Sequence, residues 1–139
     1  DLVIGAVLVP GARTPRLVEE ATVAQMQPGA VVVDVAIDQG GCIAGSRPTT
    51  YREPTFRRHG VVFFCVTNMP GSVPVTSTQA LTAATLPYLR ALADGGWREA
   101  CRADPALAAG LTTHEGTVVH PAVGAAHDLP VTPAAEILA

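Results

Sequence analysis

Three short runs, "DLVIGAVLV" (1–9), "AVVVDVAI" (30–37) and "GVVFFCV" (60–66), are rich in valine and almost unbroken in apolar residues. A strand with one wetted face alternates apolar and polar positions. A strand buried on both faces does not, and that is the state of parallel strands covered by helices. Between the first two runs lies "GARTPRLVEEATVAQMQPG". Thr14 is placed there to cap a helix, with Pro15 at its first position and Glu19 and Glu20 near its positive end. Leu17, Ala21 and Ala24 recur at helical spacing, and Pro28-Gly29 closes the segment. The pattern predicts a β-α-β unit and an α/β fold.

The link between the second and third runs is of another kind. Residues 38–59 hold closely spaced glycines and prolines in their first half and have no helical period. Loops of more than about 15 residues are uncommon in compact domains and are often functional. After the third run, Leu81, Thr85, Tyr88 and Leu92 mark one stripe of a longer helix, with Ser77 or Thr78 as its expected cap. Pro87 is expected to kink it, since it lacks an N–H, and Gly95-Gly96 to stop it. Residues 97–139 read as short helices around one strand, "GTVVH". A shift in composition near residues 70–76 divides the chain into 1–74 and 75–139.

Composition excludes several classes. Charged residues make up only 15% of the 139, and the net charge is −3 with nine Lys and Arg. This leaves no basic surface for nucleic acid, and the cluster Arg52, Arg57 and Arg58 reads as a solvated face. Three cysteines, far apart and in no metal-binding spacing, point to a reducing cytoplasm rather than to disulfides or a metal site. No apolar stretch approaches the roughly 20 residues of a membrane span. The chain opens at Asp1, directly before a strand-like run, and is expected to be a piece of something longer.

The three runs end alike, in "VLVPG", "AIDQGG" and "TNMPG". Parallel strands bring their carboxyl ends to one edge, where open α/β sheets bind ligands. Val7, Leu8, Asp38, Thr67, Asn68 and Met69 are therefore expected along one rim, with adjacent glycines letting backbone approach a flat ligand. Asp38 stands out as a carboxylate where a buried run opens into a long loop. A second acid, Asp34, lies inside the same run. Neither G-x-G-x-x-G nor a Walker motif is present, so no pyrophosphate-binding turn is read in this chain. His59, His114, His120 and His127 are not spaced as metal ligands, and His114 is expected at the surface or in a cap. Cys65 reads as a small core residue.

The blocks "VVVDVAIDQGGCIAGSRPTTY", "FCVTNMPGSVPVTSTQALTAATLPYLRALADGGW" and "ACRADPALAAGLTTHEG" closely resemble the C-terminal portion of bacterial alanine dehydrogenases. The resemblance implies the second half of a Rossmann-type parallel sheet, followed by a hinge helix and a returning segment of the substrate domain. It implies NAD as cofactor, reversible deamination of L-alanine to pyruvate and ammonia, and a homohexamer. Asp38 corresponds to the catalytic carboxylate. NAD contacts map onto Val7, Leu8, Leu17, Val35, Ala36, Ile37, Asp38, Arg47, Val66, Thr67, Asn68 and Met69. The family's substrate-binding Arg and Lys, its acid/base His and its glycine-rich phosphate turn correspond to positions upstream of Asp1, so the piece alone is expected to be inactive. The related transhydrogenases share the fold and some of these blocks. They typically lack an acid at the Asp38 position, and a transhydrogenase-like nucleotide-binding module that acts only with a partner chain is the alternative reading.

Overall fold

In the computed structural model, which describes residues 1–139, the first run forms β1 (Leu2–Gly5). A short helix, α1 (Glu20–Ala24), leads to β2 (Val31–Asp34). A hairpin of β3 (Thr55–Arg58) and β4 (Val61–Phe64) completes the sheet. The strand order is β1-β2-β4-β3. β1 runs parallel to β2 with Leu2 beside Val31 and Gly5 beside Asp34. β2 runs parallel to β4 with Val31 beside Val62, and β3 lies antiparallel on the outside. The α/β class and the parallel run of three strands are as the sequence predicts.

Several details differ. Each strand has four residues, shorter than the run that signals it. Burial alternates: Val32 and Phe63 are sealed, whereas Val31, Val33, Val62 and Phe64 are half-buried. Only the face that carries Val23, Ile43 and Phe63 is fully covered. The predicted helix contracts to α1, and Thr14 does not cap it. The Thr14 N–H donates to the Gln39 carbonyl at 3.0 Å, Leu17 N–H donates to Cys42 O at 2.7 Å, and Ala44 N–H donates to Val18 O at 2.8 Å. Residues 14–18 are therefore drawn out alongside 39–44, and backbone bonded to a neighbour in this way cannot begin a helix. The Leu17, Ala21, Ala24 stripe faces solvent, and Val23 supplies the buried contact instead.

The long link is not wholly irregular. It yields β3, joined to β4 through His59 (φ 51°) and Gly60 (φ 79°). Two consecutive positive φ values define the tight turn whose twist suits a two-residue hairpin.

The chain divides into two units, Asp1–Ser72 and Val73–Ala139. The second begins with α2 (Pro74–Ala103). Pro74 opens this helix where a missing N–H costs nothing. Val73 occupies the capping position without a side-chain bond, so neither Ser77 nor Thr78 caps it. The non-helical backbone inside the span is at Gly96 (φ 73°, ψ 158°), so the break falls there and not at Pro87. Beyond it come α3 (Pro105–Ala109), capped by Asp104 through Ala106 N–H at 2.8 Å, and the small hairpin β5 (Thr113–His114) and β6 (Thr117–Val118). The helices α4 (Pro121–His127) and α5 (Ala134–Leu138) follow. Arg98 and Arg102 donate to carbonyls of Ile137, Leu138 and Ala139, tying the last helix to α2. His114 is half-buried against Trp97, with ring centres 4.8 Å apart.

Candidate active site at the strand ends

β2 stops at Asp34 because of what that side chain does. Asp34 is fully buried, and a buried carboxylate needs donors. One oxygen accepts the N–H groups of Cys42 at 3.0 Å and Ile43 at 3.2 Å, and the other accepts the Cys42 thiol at 3.5 Å. These bonds close residues 34–43 into a loop with the carboxylate at its base. Within the loop, Val35–Gln39 wind into one 3-10 turn, which ends at Gly40 in a left-handed conformation. Gly41 also has positive φ (75°), and a Cβ there would lie 2.9 Å from the Asp34 carboxylate. Glycine is the residue that permits both the angle and the approach.

Asp38 therefore sits on a 3-10 turn past the strand rather than at the strand tip, and it is exposed. Its Oδ2 accepts the N–H of Asn68 at 3.2 Å, which ties the loop after β2 to the turn after β4. Asn68 has φ 51°, a region that asparagine tolerates better than most residues. On the other side, Ala6, Val7 and Leu8 follow β1 and face Val35, Ala36, Asp38 and Gln39 across a cleft of about 250 Å³. Its walls are largely apolar, with Leu8 and Val35 exposed at the opening. Asp38 stands at its margin as the ionisable side chain.

The expected site residues fall into three groups. Val7, Leu8, Val35, Ala36 and Asp38 line this cleft together. Thr67, Asn68 and Met69 form the neighbouring turn, joined to it through Asp38. Ile37 and Val66 are buried, and neither they nor Leu17 and Arg47 line the cleft. Leu17 is 62% exposed beside Cys42. The Arg47 guanidinium stacks on Phe56, 4.4 Å from its ring centre. Gly5, at the end of β1, has a packing role: a Cβ there would meet Cys42 Sγ at 2.4 Å. Burial pushes the Cys42 thiol above its ordinary range, and the adjacent Asp34 charge adds to this. Burial does the same to Cys65. Both are inert packing groups here.

Sequence reasoning did not assign Asp34 to the site's framework. The signal was an acid inside an apolar run, which implies buried partners but does not say which. Ala6 and Gln39 complete the cleft with no sequence signal of their own.

The chain matches the sequence model described as "Alanine dehydrogenase/PNT, C-terminal domain" over residues 1–121. It is 62% identical over all 139 residues to an alanine dehydrogenase of Mycolicibacterium smegmatis, and spans 38% of that protein's length. A solved L-alanine dehydrogenase structure aligns with TM-score 0.72 and 48% identity, over 99% of this chain and 36% of the other. A transhydrogenase structure from Sinorhizobium meliloti aligns less closely, with TM-score 0.62 and 28% identity, over 88% of this chain and 32% of the other. A half-length Rossmann-type sheet, a carboxylate at its rim and a match across the chain agree: this chain belongs to the alanine dehydrogenase/PNT family.

Proposed function

We propose that this chain is part of an NAD-dependent L-alanine dehydrogenase, whose complete form interconverts L-alanine with pyruvate and ammonia. The observation that carries the reading is the exposed Asp38 carboxylate at the margin of the apolar strand-end cleft. The likeness to relatives named alanine dehydrogenase supports it. In this reading residues 1–74 are the second half of the NAD-binding domain, and 75–139 are the hinge helix and a returning part of the substrate domain.

The cleft suits a flat, weakly polar ring. Val7, Leu8, Val35 and Ala36 offer apolar walls, and the turn Thr67–Met69 offers backbone polar groups beside Asp38. These residues would hold the nicotinamide end of NAD, while Ile37 and Val66 support the rim and Leu17 and Arg47 act outside the cleft. NAD supplies the acceptor for the hydride that leaves the alanine Cα. As that hydride departs, the substrate nitrogen becomes part of a cationic iminium. Asp38 places negative charge where this positive charge develops, and its free oxygen can orient the attacking water. Water adds to the iminium carbon, its protons pass to the nitrogen, and the C–N bond breaks to release ammonium (ammonia and a proton), leaving pyruvate. The acid/base and substrate-binding groups come from the remainder of the protein. Three buried free thiols suit a reducing cytoplasm, and the complete protein is taken to be a homohexamer.

A transhydrogenase-like module is the second reading, favoured by the Sinorhizobium meliloti structure. One assay separates the two. The complete protein is expected to form NADH from L-alanine and NAD at alkaline pH, while the 139-residue chain alone shows no turnover. Hydride transfer between two nicotinamide nucleotides, without alanine-dependent NADH formation, supports the second reading and overturns the first.

A further inference from the structure

The turn after β4 is held from two sides. Asp38 accepts the Asn68 N–H on one of them. On the other, the Tyr51 hydroxyl donates to the Met69 carbonyl at 2.9 Å, with the Asn68 carbonyl also near at 3.3 Å. Tyr51 is delivered there by the long link. Thr49 pairs with Val66 in an isolated parallel bridge: its N–H donates to Cys65 O at 2.9 Å, and its carbonyl accepts from Thr67 N–H at 3.3 Å. Its hydroxyl also closes the link on itself, donating to Pro54 O at 3.0 Å. A one-residue extension of the sheet thus fixes Thr49 against the outgoing strand, and Tyr51 follows directly over the turn.

The same two carbonyls are bonded from within the turn by Gly71 N–H at 2.8 Å and Ser72 Oγ at 2.9 Å. Tyr51 differs from these donors in coming from a distant part of the chain. Asn68 has a positive φ, which asparagine bears better than other non-glycine residues but which still relies on surroundings that fix it. Gly71 and Ser72 supply the local part of those surroundings, and Asp38 and Tyr51 the long-range part.

We propose that Tyr51 is a positioning residue for the turn Thr67–Met69 and, through the Asn68 N–H, for the Asp38 carboxylate. The inference deepens the reading of this rim as the nicotinamide site and rests on it. Tyr51 touches neither substrate nor cofactor in this role. It sets where the turn and the carboxylate stand when they bind.

The test is Tyr51→Phe in the complete protein. The ring stays and Tyr51 is half-exposed, so the fold tolerates the loss of one hydroxyl. Hydrogen–deuterium exchange of residues 66–71 without ligand is expected to quicken. The NADH dissociation constant, followed by fluorescence titration, is expected to rise about fivefold, the change one lost hydrogen bond produces. kcat with L-alanine falls alongside, and the melting temperature stays in place. Unchanged exchange with unchanged binding and kcat overturns the proposal. So does weaker binding that merely follows a lowered melting temperature, since that marks a general loss of stability. If exchange quickens but even the wild-type protein binds no NADH, the functional reading falls and the positioning role falls with it. The exchange data distinguish that case from a turn that Tyr51 never held.

Discussion

Asp34 is sealed from solvent and takes two backbone N–H groups, while Asp38, one 3-10 turn further on, is exposed and takes one. Substitution by asparagine should separate their roles. Asp38→Asn keeps an acceptor for Asn68 N–H, so the melting temperature and the NAD dissociation constant are expected to hold in the complete protein. What disappears is the charge that the proposed function places opposite the developing iminium, a loss of about 2–4 kcal/mol by comparison with other charge-stabilising groups. kcat should fall accordingly, and near-normal turnover would reduce Asp38 to a tie between two loops. Asp34→Asn should behave in the opposite way. The amide replaces one acceptor oxygen with a donor in a buried place already filled by N–H and S–H donors. The cost expected for a buried group left unpaired is about 1–3 kcal/mol, seen as a lower urea midpoint. The sequence marks both residues, but for different reasons. A charge inside an apolar run must have partners, so Asp34's burial was implicit. That its partners are the amides of Cys42 and Ile43 depends on how the glycine pair turns, and composition does not specify that.

At the level of elements, the parallel strands were legible because runs of valine have few other uses. The antiparallel strand β3 was not, since "TFRR" shows little alternation and carries two arginines. Its real signal is the pair His59-Gly60, which accepts the positive φ values of a tight hairpin turn. Gly60→Ala should therefore destabilise the hairpin. It forces a Cβ onto φ +79°, an expected cost of about 1 kcal/mol or more in a denaturant titration. The helix before β2 was overestimated for a related reason: local helix signals at Thr14 and Pro15 lost to hydrogen bonds with a segment distant in sequence. The same hairpin carries a pH-dependent tie. Glu20 meets Arg58 at 2.8 Å and His59 at 2.5 Å, and Arg58 first, then His59, holds its carboxyl below the ordinary value of 4.5. A carboxyl with a lowered folded-state pKa stabilises the fold above its unfolded value, and that contribution is lost as pH falls through the folded value. Glu20→Gln should thus melt more nearly alike at pH 6 and pH 3 than the wild type does. The difference should shrink in high salt, because this tie is exposed and screened.

For the molecule as a whole, the two edges of the sheet are unequal. β3 closes one side and carries Arg57 and Arg58, charges of the kind that discourage further strand pairing. β1 closes the other, where Leu2 and Ile4 are 61% and 60% exposed and no charge lies within the strand. An unguarded apolar edge of this kind is a template for association. α2 adds to the apolar surface, with Val75, Leu81, Leu86, Tyr88 and Leu89 also exposed. Relatives of this chain are far longer, since it spans 38% of the Mycolicibacterium smegmatis protein. We therefore expect the 139-residue chain, expressed alone, to associate as its concentration rises, and to be recovered as a defined complex when the upstream part is co-expressed. Ile4→Lys should reduce the association of the lone chain, because it places a charge on the β1 edge without disturbing a sealed core position. Sedimentation velocity over a concentration series would measure all three states. A lone wild-type chain that stays monomeric throughout, with a sharp cooperative melt, would show that the β1 edge is tolerated and would overturn this expectation. Equal association of wild type and Ile4→Lys would place the adhesive surface elsewhere, with the α2 residues the next to substitute.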